Sequence, residues 1–224
     1  MKEKTDIGGM PVPGFPAAYY ASLLTGLVHK ANNVITVLTG HSGLLLLEPN
    51  LSTKVHEPVK RISRAAEMLS RYMDEASAIS KVTPLVLEPI NVLEFGKALT
   101  RPPGLKVQVL CDRDLKILGD RPKLKVIFEQ ILQNAMEANA SSEIVTVTRE
   151  EAIIGLSFRD NGHGINKEVL PRIFDPFFTT RIQEGQFGLG LFRARGELAR
   201  MNGEISGASD GQTYAQILVR MPAA

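Results

Sequence analysis

Apolar residues in the first third of the chain recur at threes and fours. Over 16–48 they fall at Leu24, Leu27/Val28, Ala31, Val34/Ile35, Leu38 and Leu45, and over 54–81 at Ile62, Ala65, Leu69, Met73, Ala76 and Ile79. Such spacing puts an apolar stripe along each of two long helices. The turn EPNLST (48–53) joins them as an antiparallel hairpin. Each helix of a lone hairpin has one neighbour, too few to cover its stripe. Two hairpins are therefore expected to pair into a four-helix bundle, making the chain a homodimer.

KVTPLVLEPI (81–90) breaks this periodicity with two prolines and marks a domain boundary. The pattern beyond it predicts a short helix at 91–100, a strand at 105–111 and a helix at 120–140. Asp120 lies near the start of that helix, where the dipole favours a negative charge. Strands at 143–149 and 152–159 follow, then a loop over 161–187 interrupted by KEVLPRIF, and a helix at 188–202. The last strands, 203–208 and 213–221, flank the turn SDGQ. The fold class is α+β. After a flexible tail (1–14) comes the helical hairpin (15–82), then a mixed domain (85–224) of antiparallel strands and three helices in two layers.

Composition narrows the function. Net charge is +2, and residues 85–224 hold seventeen Lys/Arg against seventeen Asp/Glu, which argues against a nucleic-acid partner. The longest apolar runs, such as GLLLL (43–47), fall far short of the roughly 20 residues that span a bilayer. No membrane association is expected. Cys111 is the single cysteine, in the strand-like run VQVLC, and a cytoplasmic location fits its isolation. No sensor-sized segment precedes the first helix, so the input is expected from a separate sensor protein, from concentration, or from the N-terminal tail.

Four segments of the second domain carry chemistry in a fixed order: QILQNAMEAN (130–139), DNGHGI (160–165), IFDPFFTTR (173–181) and FGLGL (187–191). Asn134, on the helix beside an apolar face, offers a neutral amide that can ligate Mg²⁺ bridging triphosphate oxygens; alone, it reads more readily as a helix-surface residue. Asp160 ends a strand, and its carboxylate can accept the exocyclic amine of adenine. Gly162 and Gly164 after it permit positive φ and close backbone approach, although glycine turns after strands are common. The phenylalanines of FDPFFTTR must pack on something, either as a mobile lid or as a buried loop anchor; Thr179 and Arg181 add a hydroxyl and a cation. Gly185, Gly188 and Gly190 lead into a helix whose first N–H groups can bind phosphate.

Together these segments resemble the N, G1, F and G2 boxes of the histidine-kinase ATP-binding domain, in the group shared with Hsp90-type chaperones, gyrase B and MutL. The resemblance implies an α/β sandwich holding ATP and Mg²⁺ over 85–224, with Thr213 similar to the threonine that closes the adenine pocket. ATP-hydrolysing members of the group carry a glutamate one turn before the asparagine. Gln130 stands there, and an amide is no general base at neutral pH. Gln186 replaces a glycine common in these kinases, with Gly185 beside it to supply flexibility.

LVHKANNVITVLTG (27–40) resembles the phosphoacceptor box of two-component kinases, with His29 as acceptor and Asn33 four residues on, where it would position water for dephosphorylation. His41 and His56 fit no motif. Lys30 departs from the acidic residue usual in the family, which accepts the imidazole proton. The expected function is γ-phosphoryl transfer from ATP to His29 and on to an aspartate of a response-regulator receiver domain. One alternative is a kinase-deficient phosphotransfer, phosphatase or ATP-binding scaffold; another is a Ser/Thr protein kinase with a similar ATP domain.

Overall fold

The computed structural model describes residues 17–80, 83–111, 114–181 and 186–224. The chain divides between Thr83 and Pro84 into two compact units. The tail, Gly185 and the side chain of Ile79 lie outside the described residues.

The first unit is the hairpin α1 (Ala17–Leu46) and α2 (Thr53–Ser80). Its seam is narrow. Val28, Ile35 and Ser42 are buried on α1, and Val59, Ala66 and Ala76 on α2. The seven-residue steps from Val28 to Ser42 and from Val59 to Ala66 keep these positions on one line per helix. Leu27, Val34, Leu38, Leu45, Ile62 and Leu69, expected in the same stripes, are 40% or more exposed. One neighbouring helix covers a seam, not a broad stripe, so among the described residues these apolar rows stay exposed.

The second unit runs β1 (Glu88–Asn91), α3 (Val92–Ala98), β2 (Lys106–Leu110), β3 (Lys116–Gly119), α4 (Arg121–Glu137), β4 (Ser142–Glu150), β5 (Ile153–Asp160), a 3₁₀ turn (Leu170–Arg172), α5 (Gly190–Arg200), β6 (Glu204–Ser209) and β7 (Ala215–Pro222). The main sheet has the order β2-β4-β5-β7-β6. One pairing corrects the all-antiparallel expectation: β2 and β4 are parallel. The chain leaves β2, returns through α4 and re-enters the sheet in the same direction, as a crossover helix requires. The sequence pattern also missed a small antiparallel ribbon of β1 and β3.

α4 organises this unit. Leu124, Ile127, Phe128, Ile131, Leu132 and Ala135 form its buried stripe. Phe128 sits between Phe95 of α3, at 5.7 Å in an edge contact, and Phe158 of β5, at 5.0 Å. Asp120 caps the helix: Oδ1 accepts from Lys123 N–H and Oδ2 from Val86 N–H in the segment after the domain boundary. The cap thus starts α4 and ties down the incoming chain. Phe128→Ala should cost about 3–5 kcal/mol of this unit's stability. Denaturant unfolding followed by circular dichroism measures it.

Candidate functional site

α4 buries one face, and the adjoining face carries Gln130, Asn134 and Glu137. Gln130 Nε2 donates to Asn134 Oδ1 at 3.0 Å, across one helical turn. Gln130 is also pressed from the other side: a Cβ on Gly190 would lie 3.0 Å from its Cδ. Gly190 therefore leaves the room that Gln130 needs, and Gln130 fixes the amide of Asn134. This brings the first residue of α5 beside the expected Mg²⁺ ligand. No side chain caps α5 at Leu189, which suits a helix start meant for an anion.

Asp160 ends β5, half-buried. Its Oδ1 accepts from Gly162 N–H at 2.8 Å and from Ala215 N–H at 3.2 Å. These bonds fasten the carboxylate to both the following turn and β7. Two glycines make that turn possible. A Cβ at Gly162 would fall 2.6 Å from the Ala138 carbonyl oxygen, and Gly164 has φ +70° with Gln212 N 2.7 Å from where its Cβ would be.

The aromatic segment resolves the choice between lid and anchor by splitting it. Phe178 is half-buried with Arg172 stacked over its ring at 4.4 Å, while Phe177 is 56% exposed at φ +62°. Thr179 Oγ1 accepts from Arg181 N–H at 3.0 Å. Arg181 does not stand free for a phosphate: its Nη1 lies 3.1 Å from Glu137 Oε2, and Nη2 donates to the Glu137 carbonyl. That half-buried pair pins the segment to the end of α4. Gly188, at φ +65°, meets Phe178 so closely that a Cβ would sit 2.3 Å from its carbonyl oxygen.

Thr213 is exposed, and its hydroxyl and N–H both bond to Asp210 within the turn before β7. These bonds, with others from Gln212 and Tyr214, hold the Asp210 carboxyl well below the usual carboxylate range. The β7 residue that touches Asp160 is Ala215. The turn is tied both to itself and to the glycine turn after β5: Asp210 takes the Thr213 hydroxyl and N–H, and Ser209 Oγ accepts from Ile165 N–H at 2.8 Å.

One residue escaped the sequence reading. Glu143 is 2% exposed and lies directly across from Asp160 in the β4/β5 register. Burial, then the facing Asp160 carboxylate, pushes its carboxyl up to about 8. The signal was present in the alternation of SEIVTV: Glu143 is in phase with the buried Val145 and Val147.

His29, Lys30 and Asn33 are exposed on α1 of the first unit. His29 and Asn33, four apart, share a face. Among the described residues no cluster of His, Cys, Asp or Glu could hold a metal by itself. No described helix is long and apolar enough to cross a membrane.

Residues 119–224 match the family described as histidine kinase-, DNA gyrase B- and HSP90-like ATPase. The chain is 29% identical over 90% of its length to the signal transduction histidine-protein kinase AtoS of Escherichia coli, covering 35% of that protein. It is 28% identical over 75% of its length to sporulation kinase A of Bacillus subtilis, covering 29%. The chain thus spans about a third of these curated relatives. Full-length ShkA in complex with AMPPNP has the same fold, at TM-score 0.60 and 19% identity, over 91% of this chain and 46% of that one. So does the histidine kinase ThkA in complex with the response regulator protein TrrA, at TM-score 0.60 and 20% identity, over 91% of this chain and 61% of that one.

Gly188→Ala should force the aromatic and glycine segments apart. The expected result is an ATP affinity reduced at least about tenfold, with a loss of about 1–2 kcal/mol in stability from the positive φ alone. Titration calorimetry and thermal unfolding give the two numbers.

Proposed function

We propose, on the premise that the chain belongs to the sensor histidine kinase family with an ATP-binding domain of the gyrase B and HSP90 type, that it transfers the γ-phosphoryl of ATP to His29 and then to a response-regulator aspartate. The observation that carries the donor half is the Gln130–Asn134–Gly190 contact set. It places an oriented amide next to an uncapped helix start and puts no carboxylate where a hydrolytic base would stand. Asn134 would hold Mg²⁺, which supplies neutralising charge to the phosphates. Asp160, fastened by two N–H bonds, would accept the adenine amine. The glycines at 188 and 190 would admit the phosphates, and Gly185 with them.

In the acceptor step the imidazole nitrogen of His29 attacks the γ-phosphorus, the bond to the ADP oxygen breaks and an N–P bond forms. The proton on that imidazole must then leave. Lys30 cannot take it while charged and disfavours imidazolium beside it, though its charge attracts the γ-phosphate. This single residue favours a second reading: a scaffold that binds ATP and receives or removes phosphate without an efficient autokinase step. Asn33 would then matter most, positioning water against a phosphorylated partner.

Two features support a homodimer. The uncovered rows on α1 and α2 repeat every seven residues (Leu27 and Val34, Leu38 and Leu45, Ile62 and Leu69), as a second hairpin would require. Their exposure also exceeds what a lone hairpin tolerates in water. Leu38→Glu together with Ile62→Glu should convert a dimer into monomers by analytical ultracentrifugation.

Incubation with γ-labelled ATP and Mg²⁺ tests the transfer. Acid-labile label should appear on the chain and vanish in His29→Ala. Lys30→Glu should raise the labelling rate about a hundredfold or more, the usual worth of a positioned base. Absent label despite measurable ATP binding selects the scaffold reading. Acid-stable label on a partner protein selects a Ser/Thr kinase.

A further inference from the structure

The base end of the pocket holds a second carboxyl group that the phosphoryl-transfer reading does not use. Glu143 opens the inward-facing row of β4, followed by the buried Val145 and Val147. It is the Cα partner of Asp160 across the antiparallel β4/β5 pair, so the two side chains leave the sheet on the same face. It is nearly inaccessible, and its Oε2 is buried with no hydrogen-bond partner. A buried oxygen without a partner is destabilising, more so if it is charged. Such a group is retained at a cost to stability, which points to a partner that arrives later.

The surroundings decide its charge state. β5 presents the Asp160 carboxylate to it, and β2 contributes Val107, its register partner on the other side. α4 covers this face with apolar residues, among them Leu132 and Ala135. The acidic residue at the end of α4, Glu137, is already paired with Arg181. In the turn after β5 the His163 ring nitrogen Nδ1 contacts the Gly164 carbonyl instead. Among the described residues of these elements, none is a cation paired with Glu143. A facing carboxylate and an apolar cover both favour the neutral acid.

A neutral carboxyl and an ionised one side by side make a paired donor and acceptor. Asp160 has its Oδ1 committed to Gly162 and Ala215 N–H groups, and it can only accept. Glu143 as an acid supplies an O–H donor. The edge of adenine offers a donor, the exocyclic amine, next to an acceptor ring nitrogen. Ala215, the β7 residue at this spot, has no polar side chain to serve that acceptor.

We propose that Glu143 is a base-recognition residue, donating as a neutral carboxylic acid to the adenine edge directly or through one water, so that its ionisation weakens ATP binding. The proposal rests on the reading of Asp160 as the adenine-binding carboxylate. On ionisation Glu143 loses its donor and sets a second negative charge against Asp160, so ATP affinity falls as pH rises through about 8. Because binding favours the protonated form, ATP takes up protons when it binds near that pH.

The test is titration calorimetry of ATP with Mg²⁺ on the full chain, from about pH 7 to about pH 9.5, in buffers of different ionisation enthalpy. The wild type should lose about tenfold in affinity over that range, and proton uptake should peak near pH 8. Glu143→Gln, which cannot ionise, should give a flat profile and no linked proton, whatever its absolute affinity. A wild-type profile that is flat, or a slope that persists in Glu143→Gln, overturns the proposal. If Glu143→Gln does not fold, the wild-type proton uptake decides alone. Asp160→Asn separates the two ideas. Lost binding there with a flat wild-type profile removes Glu143 and leaves the pocket reading intact. Unaltered binding in Asp160→Asn removes the pocket reading and the proposal with it.

Discussion

The pocket depends on the burial of one face of α4. Its six buried side chains lock the helix rotation against the sheet, with Phe128 wedged between Phe95 and Phe158. Rotation leaves no freedom for what the next face presents. Gln130 and Asn134 point where they do because Ile127 and Ile131 point elsewhere. The cap at Asp120 sets where the helix begins, and so which turn carries the amide pair. Aromatic burial of this kind is worth several kcal/mol, far more than the Gln130–Asn134 bond. The polar site is therefore held by apolar contacts that never touch a ligand.

Much of this was legible in the sequence, and the failures have physical causes. The long helices and the main strands follow the periods of their apolar residues. β1 and β3 did not show, because each has four residues and, apart from one bridge from Ile117 to Ala223, they pair with each other. Such strands are too short for an alternation to stand out. The parallel entry of β2 is a property of the connection, not of its own residues. The bonds that Thr213 makes were not legible either, since they depend on the turn in which the Asp210 carboxyl collects the nearby donors. Arg181 was legible as a cation, but its pairing with Glu137 joins residues that no local pattern relates. Glu143 was visible as an acid in an apolar phase, but its meaning needed the register that sets it against Asp160.

The two units divide the chemistry unequally. In the second, the residues that matter are oriented by several independent contacts, down to hydrogen bonds on single oxygens. In the first, His29 and its neighbours are exposed on one helix, and their local chemistry is set by which residue follows the histidine. A donor pocket of this kind tolerates little change, whereas an acceptor can be tuned by one substitution. On the proposed reading Lys30 is such a residue: it would act on the proton inventory of the acceptor.

Gly188 has a mechanical meaning as well as a steric one. With its backbone against that of Phe178, the aromatic segment and the start of α5 have no side chain between them to act as a spacer. Two strands of chain in direct backbone contact cannot slide independently; one carries the other. On the proposed reading, departure of the spent nucleotide would be coupled to movement of the aromatic segment. The turnover clock of the domain would be set by how fast that joint is released, however quick the bond-making step becomes.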